Sequence, residues 1–365
     1  MKETIVISAI NLRSGGPLTI LRDCLSELSR SELSKRYRIV ALVHKRELAD
    51  YPDIEYLEFP KSINSWFRRI YYEYFYFRKL SKQLKPYLWL SLHDMTPNVV
   101  CERQAVYMHN PSIVNKIKST DWKFDKAYIL FTCFYKFLYR LNVKRNLYCI
   151  VQQQWFRREC AKQLNLPENK FIVARPLIEI STPGTSVLPD RCKVFFFPSL
   201  PRPFKNFETL CEAACILEKK GVKDFEVRIT LSGEENSYSK WIHKKYSHCK
   251  LIKFTGLLDK NQMQQNYDAA DCLVFPSRLE TWGLPVSEFI PFGKPMIIAD
   301  EPYAHETAQG ASCVGYYDTN NAKNLSEKME KLITGDYSAM KQVSQEVLEY
   351  PSASSYKSLF DLLLN

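Results

Sequence analysis

Residues 275–306 read FPSRLETWGLPVSEFIPFGKPMIIADEPYAHE, and the fold can be read outward from them. An apolar run, Cys272-Leu273-Val274-Phe275, predicts a strand that ends in Pro276 and Ser277. A short polar turn carries Glu280, and Gly283 and Pro285 open a helix, with Pro near a first position where its missing N–H costs nothing. Gly293 and Pro295 close that helix, and Met296-Ile297-Ile298-Ala299 predicts a second strand. This is one βαβ unit, whose ligand side is the carboxyl end of its first strand. Glu280 and Glu288 bracket the helix start. A carboxylate accepts hydrogen bonds from vicinal hydroxyls, so two of them could hold a sugar and a ribose. The opening of the helix, Gly283, Leu284 and Pro285 through Ser287, offers the positive end of a dipole to a phosphate between them. The plainer alternative is a loop carboxylate and a solvated helix residue.

Glu280-x7-Glu288, inside FPSRLETWGLPVSE and followed by PFGKPMIIAD, resembles the Glu-x7-Glu motif of retaining glycosyltransferases of the GT-B fold. More narrowly, it is similar to glycosyltransferase family 4, the group 1 family. The resemblance implies an α/β protein of two Rossmann-like domains facing across a cleft. In that family the first Glu contacts donor-sugar hydroxyls and the second holds the ribose.

At 365 residues the chain favours two domains. The boundaries expected are an acceptor-side domain over 1–178, a linker over 179–192, a nucleotide-sugar domain over 193–350, and a helix over 351–365 that crosses back to the first domain. The Ser-Thr-Pro-Gly-Thr-Ser run within Pro176–Arg191 marks the linker.

The net charge of +11 is localised. Sixteen of the 51 basic residues but only five of the 40 acidic ones lie between Lys61 and Ile150, which leaves 35 of each elsewhere. Two helical stretches there, SWFRRIYYEYFYFRKLSKQLK and KAYILFTCFYKFLYR, mix cations with aromatics. They predict contact of residues 61–150 with an anionic membrane surface. The competing reading packs one side on the sheet while Lys and Arg stems lie over the other. Basic charge with aromatics also suits single-stranded nucleic acid. No nucleic-acid motif is present, however, and no such partner is expected.

Eleven cysteines lie scattered, without C-x-x-C or zinc spacing, and several sit inside apolar runs. Free buried thiols in a reducing cytosol fit best. The N-terminus does not read as a signal peptide, and no apolar run is long enough to span a membrane. A cytoplasmic protein, peripheral at the inner face of the cell membrane, is expected.

Thr4–Ile10 predicts the first strand, Asn11–Pro17 a turn, and Leu18–Leu28 a helix with apolar residues at 18, 21, 25 and 28. Gly15 and Gly16 in that turn permit close backbone approach to a ligand. The family carries a similar loop facing donor diphosphate and acceptor. Arg103–Met108 predicts a strand delivering His109-Asn110-Pro111, which resembles a histidine-bearing segment that the family places beside the donor sugar. In the second half, Lys193–Pro198 predicts a strand followed by Pro201-Arg202-Pro203-Phe204-Lys205-Asn206. Two cations there suit a pyrophosphate, Lys as a point charge and Arg as a planar fork. The segment resembles the family's Arg…Lys pair, which neutralises the leaving diphosphate. The family form has Gly-Arg five residues before the Lys. Here Ser199-Leu200 occupy that place and Arg202 lies three before Lys205. Gly256-Leu257-Leu258 matches a stretch that lines the base pocket. Helices are predicted to begin at Glu306 and to cover Tyr337–Leu348 and Ser355–Leu364. Alternating strands and helices imply parallel sheets.

No Asp-x-Asp or other loop carboxylate cluster suggests a divalent ion, and no metal or other cofactor is expected. The reading that results is metal-independent transfer of a sugar, with retention, from a nucleoside-diphosphate sugar to a hydroxyl. The acceptor expected is a glycan, polyprenyl-diphosphate-linked, in the assembly of a bacterial surface polysaccharide such as O-antigen or capsule. Glu280, His109, Lys205 and Arg202 carry the chemistry in a cleft that closure completes. The sequence leaves GDP and UDP both open. Another nucleotide-sugar enzyme of this fold, such as an epimerase, would need no acceptor. A non-catalytic membrane- or nucleic-acid-binding protein would not need the two glutamates. A nicotinamide oxidoreductase is disfavoured, since the N-terminal loop lacks G-x-G-x-x-G.

Overall fold

A computed structural model describes residues 2–115, 117, 119–176 and 188–365. Most of the linker expected at 179–192 lies outside them. The chain divides into two units. One comprises Met1–Asn115, Leu130–Leu177 and Leu348–Asn365; the other comprises Lys116–Ile129 and Ile178–Val347. The last residues join the first unit, and a short segment from the first half of the chain joins the second.

The first unit is built on eight strands: β1 (Thr4–Ala9), β2 (Arg38–Val43), β3 (Ile54–Glu58), β4 (Pro86–Ser91), β5 (Arg103–Tyr107), β6 (Tyr148–Val151), β7 (Phe171–Ala174) and, from the far end of the chain, Ser352–Ala353. All pair in parallel. With the last strand numbered β14, their order is β14-β7-β6-β5-β4-β1-β2-β3. Central strands read as continuous apolar runs because both faces are covered; β1, Thr-Ile-Val-Ile-Ser-Ala, is buried at every position. One face packs on the helix Gly15–Arg30 through Leu21, Leu25 and Leu28 and on Leu359, Phe360 and Leu363 of the C-terminal helix Tyr356–Leu364.

The second unit has six strands: β8 (Val194–Phe197), β9 (Glu226–Ile229), β10 (Ile252–Phe254), β11 (Cys272–Phe275), β12 (Met296–Ala299) and β13 (Val314–Tyr317). They are parallel, in the order β10-β9-β8-β11-β12-β13. The chain winds outward one way from β8 and the other way from β11. That is the doubly wound, dinucleotide-type order, with its crevice at the carboxyl ends of β8 and β11. In the first unit the corresponding reversal lies between β1 and β4.

Three expectations need correction. Tyr337–Leu348 is not helical. Lys341 makes an antiparallel bridge to Val314, and Val343 N–H donates to the Ala311 carbonyl at 2.9 Å. The edge of the second sheet offers this segment backbone partners, and Gly315, lacking a Cβ, gives Met340 room: a Cβ there would lie 2.9 Å from its sulfur. Tertiary pairing therefore overrides local propensity. Glu306 does not begin a helix but lies near the end of Pro302–Thr307, which starts earlier because Pro302 occupies the first turn. The aromatic stretch expected as one helix over 64–84 is broken into Trp66–Tyr71, a π-helical turn at Tyr72–Tyr76, and Phe77–Leu84.

Candidate active site

The site of the second unit forms where the loops after β8 and β11 meet. They are sewn together by backbone and buried side chains. Arg278 N–H donates to the Phe204 carbonyl at 2.8 Å. Asn206, buried and in the left-handed region at φ +60°, donates from Nδ2 to Pro276 O at 3.1 Å and to Thr319 O at 2.8 Å. Asn tolerates that backbone better than most residues. The short turn Pro203–Lys205 is thereby fixed against β11. Lys205 Nζ then pairs with Glu280 Oε1, and Ser277 Oγ donates to the same oxygen at 2.6 Å. Both side chains of the ion pair are mostly buried, which strengthens it over a surface pair. A primary ammonium beside a carboxylate, at the mouth of a crevice, can meet a phosphate and a sugar hydroxyl side by side.

Glu288 lies in the six-residue helix Leu284–Phe289, and its Oε2 accepts a hydrogen bond from Tyr267 Oη at 2.7 Å. Burial first, and then the Glu288 charge, hold the Tyr267 phenol well above its usual range, so it stays a donor. Gly283 precedes this helix at φ +86°, and a Cβ there would lie 3.3 Å from the Phe275 ring. Only glycine suits that turn. Leu284 and Pro285 form its first turn, half-buried. Gly256, after β10, also has positive φ, at +72°.

Arg202 does not reach the Lys205–Glu280 pair. Its half-exposed guanidinium donates to Asp125 Oδ2 at 3.0 Å. Arg278, unnoticed in the sequence, is largely buried. It donates to Pro203 O at 2.9 Å and contacts Asp121 Oδ1 at 3.3 Å and Glu208 at 3.7 Å. Asp121 and Asp125 come from the short helix Ser119–Phe124 and the residue after it, 157 positions from Arg278 in the case of Asp121. No local motif announces a pair that distant.

In the first unit, Gly15 (φ +63°) and Gly16 open the helix after β1. His109 and Asn110 follow β5, and Asp94 follows β4 in the left-handed region at φ +67°. Asp94 organises this corner. Its Oδ1 accepts from the His109 and Asn110 amides at 2.7 and 3.0 Å and from Tyr139 Oη at 2.9 Å, and its Oδ2 lies 3.6 Å from His109 Nε2. The imidazole is thus placed by a carboxylate that no motif in the sequence singles out. Beneath it, His93 Nε2 lies 3.1 Å from Glu73 Oε1 and 3.3 Å from Ser8 Oγ, while Arg69 donates to His93 O. All of these side chains are buried. Burial pushes the Glu73 carboxyl up to about 8, with Arg69 opposing, and burial and Arg69 drive His93 well below the usual imidazole range.

Of the residues singled out in the sequence, the structure joins Lys205 to Glu280 and sets Glu288 one helix turn away from the same loop. Gly15, Gly16 and His109 belong to the other unit. Among the described residues no group of three or more His, Cys, Asp or Glu is placed to hold a metal ion. None of the described helices is long and apolar enough to cross a membrane. All eleven cysteines are free thiols, nine of them buried.

Parallel doubly wound sheets in two units define the GT-B fold, and known structures agree. The galactosyltransferase WaaB of the lipopolysaccharide outer core, in its apo form, superposes with a TM-score of 0.62 at 12% identity, over 92% of this chain and 91% of that one. Anabaena HepE in complex with UDP and glucose gives 0.61 at 14%, over 92% and 91%. Sucrose-phosphate synthase from Thermosynechococcus elongatus gives 0.62 at 12%, over 93% and 91%. No curated protein matches in sequence. Residues 184–347 match the family Glycosyl transferases group 1. That match falls within the second half of the chain, and the chain is a glycosyltransferase of GT-B fold.

Proposed function

We propose that the chain moves a hexosyl group from a nucleoside-diphosphate sugar to a glycan hydroxyl with retention at the anomeric carbon, as a member of glycosyltransferase family 4. The observation that carries this is the Lys205–Glu280 pair at the strand-order reversal of the second sheet, with Glu288 on the adjoining helix. Glu280 orients the donor sugar and Glu288 the ribose, while Gly256 and the Gly283–Pro285 turn approach the nucleotide. Lys205, assisted by Arg202, stabilises the departing diphosphate as its charge develops. Preorganised charge of this kind supplies several kcal/mol of transition-state stabilisation. To His109, placed by Asp94, this reading assigns the donor sugar, and to Gly15 and Gly16 the diphosphate and acceptor. No metal takes part in this reading.

The donor is a UDP or GDP sugar; solved structures of HepE with UDP and with UDP-glucose support the former. The acceptor is a polyprenyl-diphosphate-linked glycan of a bacterial surface polysaccharide. WaaB, named for the lipopolysaccharide outer core, supports the surface-polysaccharide part of this reading. The first unit's surface supports the lipid-linked part: Phe67, Tyr71, Phe75, Leu130 and Phe137 are exposed among Arg68, Lys136 and Arg140. Aromatic side chains among cations suit the headgroup region of anionic lipid, at the inner face of the cell membrane.

Thermal shift in EDTA against UDP, GDP, ADP, dTDP, CMP and NAD tests the donor. Stabilisation by one nucleoside diphosphate is the expected result, and stabilisation by NAD alone would overturn the reading. Transfer to acceptor should persist in excess EDTA; loss of turnover restored by magnesium would remove the metal-free step.

A further inference from the structure

Residues 119–125 pack on the second unit although strands of the first unit flank them in the sequence on both sides. The segment is a strap with two acidic contacts. Asp125 takes Arg202, and Asp121 takes Arg278, so each carboxylate is seated on a guanidinium beside the turn that presents Lys205. Aromatic packing holds the rest. The Phe124 ring lies 5.6 Å from Tyr238 and 5.0 Å from Trp241, Lys123 Nζ lies 5.3 Å from the Trp241 ring, and Ser237 Oγ donates to Phe124 O at 3.2 Å.

The two contacts differ in burial. Asp121 and Arg278 are both nearly inaccessible, so that pair is structural. Separating it would strand a buried charge, which is strongly unfavourable. Arg202 is half-exposed while Asp125 is mostly covered. Pairs of that kind are weak and easily exchanged. A guanidinium presents the same planar fork to a carboxylate and to a phosphate, and binds either.

We propose that Asp125 is a placeholder for donor phosphate on Arg202. Without donor, the carboxylate neutralises and parks the guanidinium. When a nucleoside diphosphate enters beside Lys205, its more highly charged oxygens take Arg202. Asp125 is released, and the Asp121–Arg278 pair keeps the strap attached. Arg202, three residues from Lys205 and away from the Lys205–Glu280 pair in this structure, then joins the leaving-group machinery only when there is charge to neutralise. This rests on the donor reading given above and adds a competitor built into the chain.

The test is binding of UDP and GDP by calorimetry to the full-length protein and to its Asp125→Asn, Arg202→Gln and double variants. Asp125→Asn should tighten the preferred nucleotide about two- to fivefold, the range of a pair of this exposure. In the Arg202→Gln background the same substitution should change nothing. Unchanged or weaker binding in Asp125→Asn, or equal tightening in both backgrounds, overturns the proposal. Hydrogen exchange of amides 119–125 separates this failure from failure of the donor reading. Asp125→Asn should raise exchange around residue 125 even without nucleotide, and unaltered exchange there overturns the placeholder whether or not any nucleotide binds. If exchange rises but no nucleoside diphosphate binds the wild type, the donor reading falls and the placeholder role falls with it.

Discussion

Lys205 and Glu280 act as a couple, and consequences divide unequally between them. The carboxylate holds the ammonium in place, and the ammonium in turn fixes the carboxylate that the proposed function aims at sugar hydroxyls. Removing Lys205 leaves a mostly buried carboxylate without its cation, and in the proposed function it also removes the charge that meets the leaving diphosphate. Lys205→Ala should lower kcat by roughly 10²–10³-fold, the loss measured when one preorganised donor is removed. A steady-state kcat within about threefold of wild type would defeat the electrostatic account. Gly283 makes a stability prediction. With φ at +86° and the Phe275 ring 3.3 Å from where an added methyl carbon would sit, Gly283→Ala combines backbone strain with crowding. Urea unfolding should show a loss of about 1–2 kcal/mol or more. The placement of both residues was legible in the sequence because it is local, each lying at a short, fixed distance after a strand. Arg278, Asp94 and Asp125 were not. Each acts through partners that only the folded topology brings near, such as the Asp121–Arg278 contact across 157 residues.

At the scale of elements, the aromatic stretch of the first unit shows where sequence periodicity falls short. Its composition announced an amphipathic helix, and most of its helical character is present. The π turn at Tyr72–Tyr76 was invisible, since a one-residue insertion in hydrogen-bond register leaves composition untouched. That turn carries Glu73 inward to His93 while Tyr71 and Phe75 stay outward. The Trp66 ring packs edge-on against Phe134 and Tyr135, joining the two aromatic helices into one face. Replacing Phe67, Phe75 and Phe137 together by serine should abolish flotation with anionic liposomes at low salt while leaving nucleotide binding intact. Flotation equal to wild type would show that the face does not meet lipid. Tyr337–Leu348 teaches the converse lesson: a segment with helical propensity became an edge partner of the second sheet, and only the neighbour decides such a case.

For the molecule as a whole, the buried Arg69–Glu73–His93 group ties stability to pH. The Glu73 carboxyl titrates near 8 when folded and in the ordinary acidic range when unfolded. Between those values the folded state binds more protons than the unfolded state, so stability falls as pH rises, and the contribution is complete only below the unfolded value. His93, depressed by burial, acts oppositely: its cost appears as pH falls through the ordinary imidazole range. Glu73→Gln removes the first effect. Denaturation at pH 5.5 and pH 8.5 (about the ends of the window) should show wild type losing a few kcal/mol more than Glu73→Gln over that interval. Parallel losses in the two proteins would show that Glu73 stays charged in the fold. The two doubly wound sheets were readable from alternating apolar runs. The division of the chain was less so, since the strap and the returning strand carry few apolar residues.

That returning strand, β14, has a consequence for how the protein is made. The first unit needs Ser352–Ala353 beside β7 and Leu359, Phe360 and Leu363 over its sheet. Those residues leave the ribosome after every strand of the second unit. The half that begins synthesis first therefore cannot finish folding first. Its sheet waits with an apolar face and the β7 edge uncovered while some 170 further residues are translated. During that interval the nascent chain offers a surface suited to a holding chaperone, and the second unit matures while the first is still open.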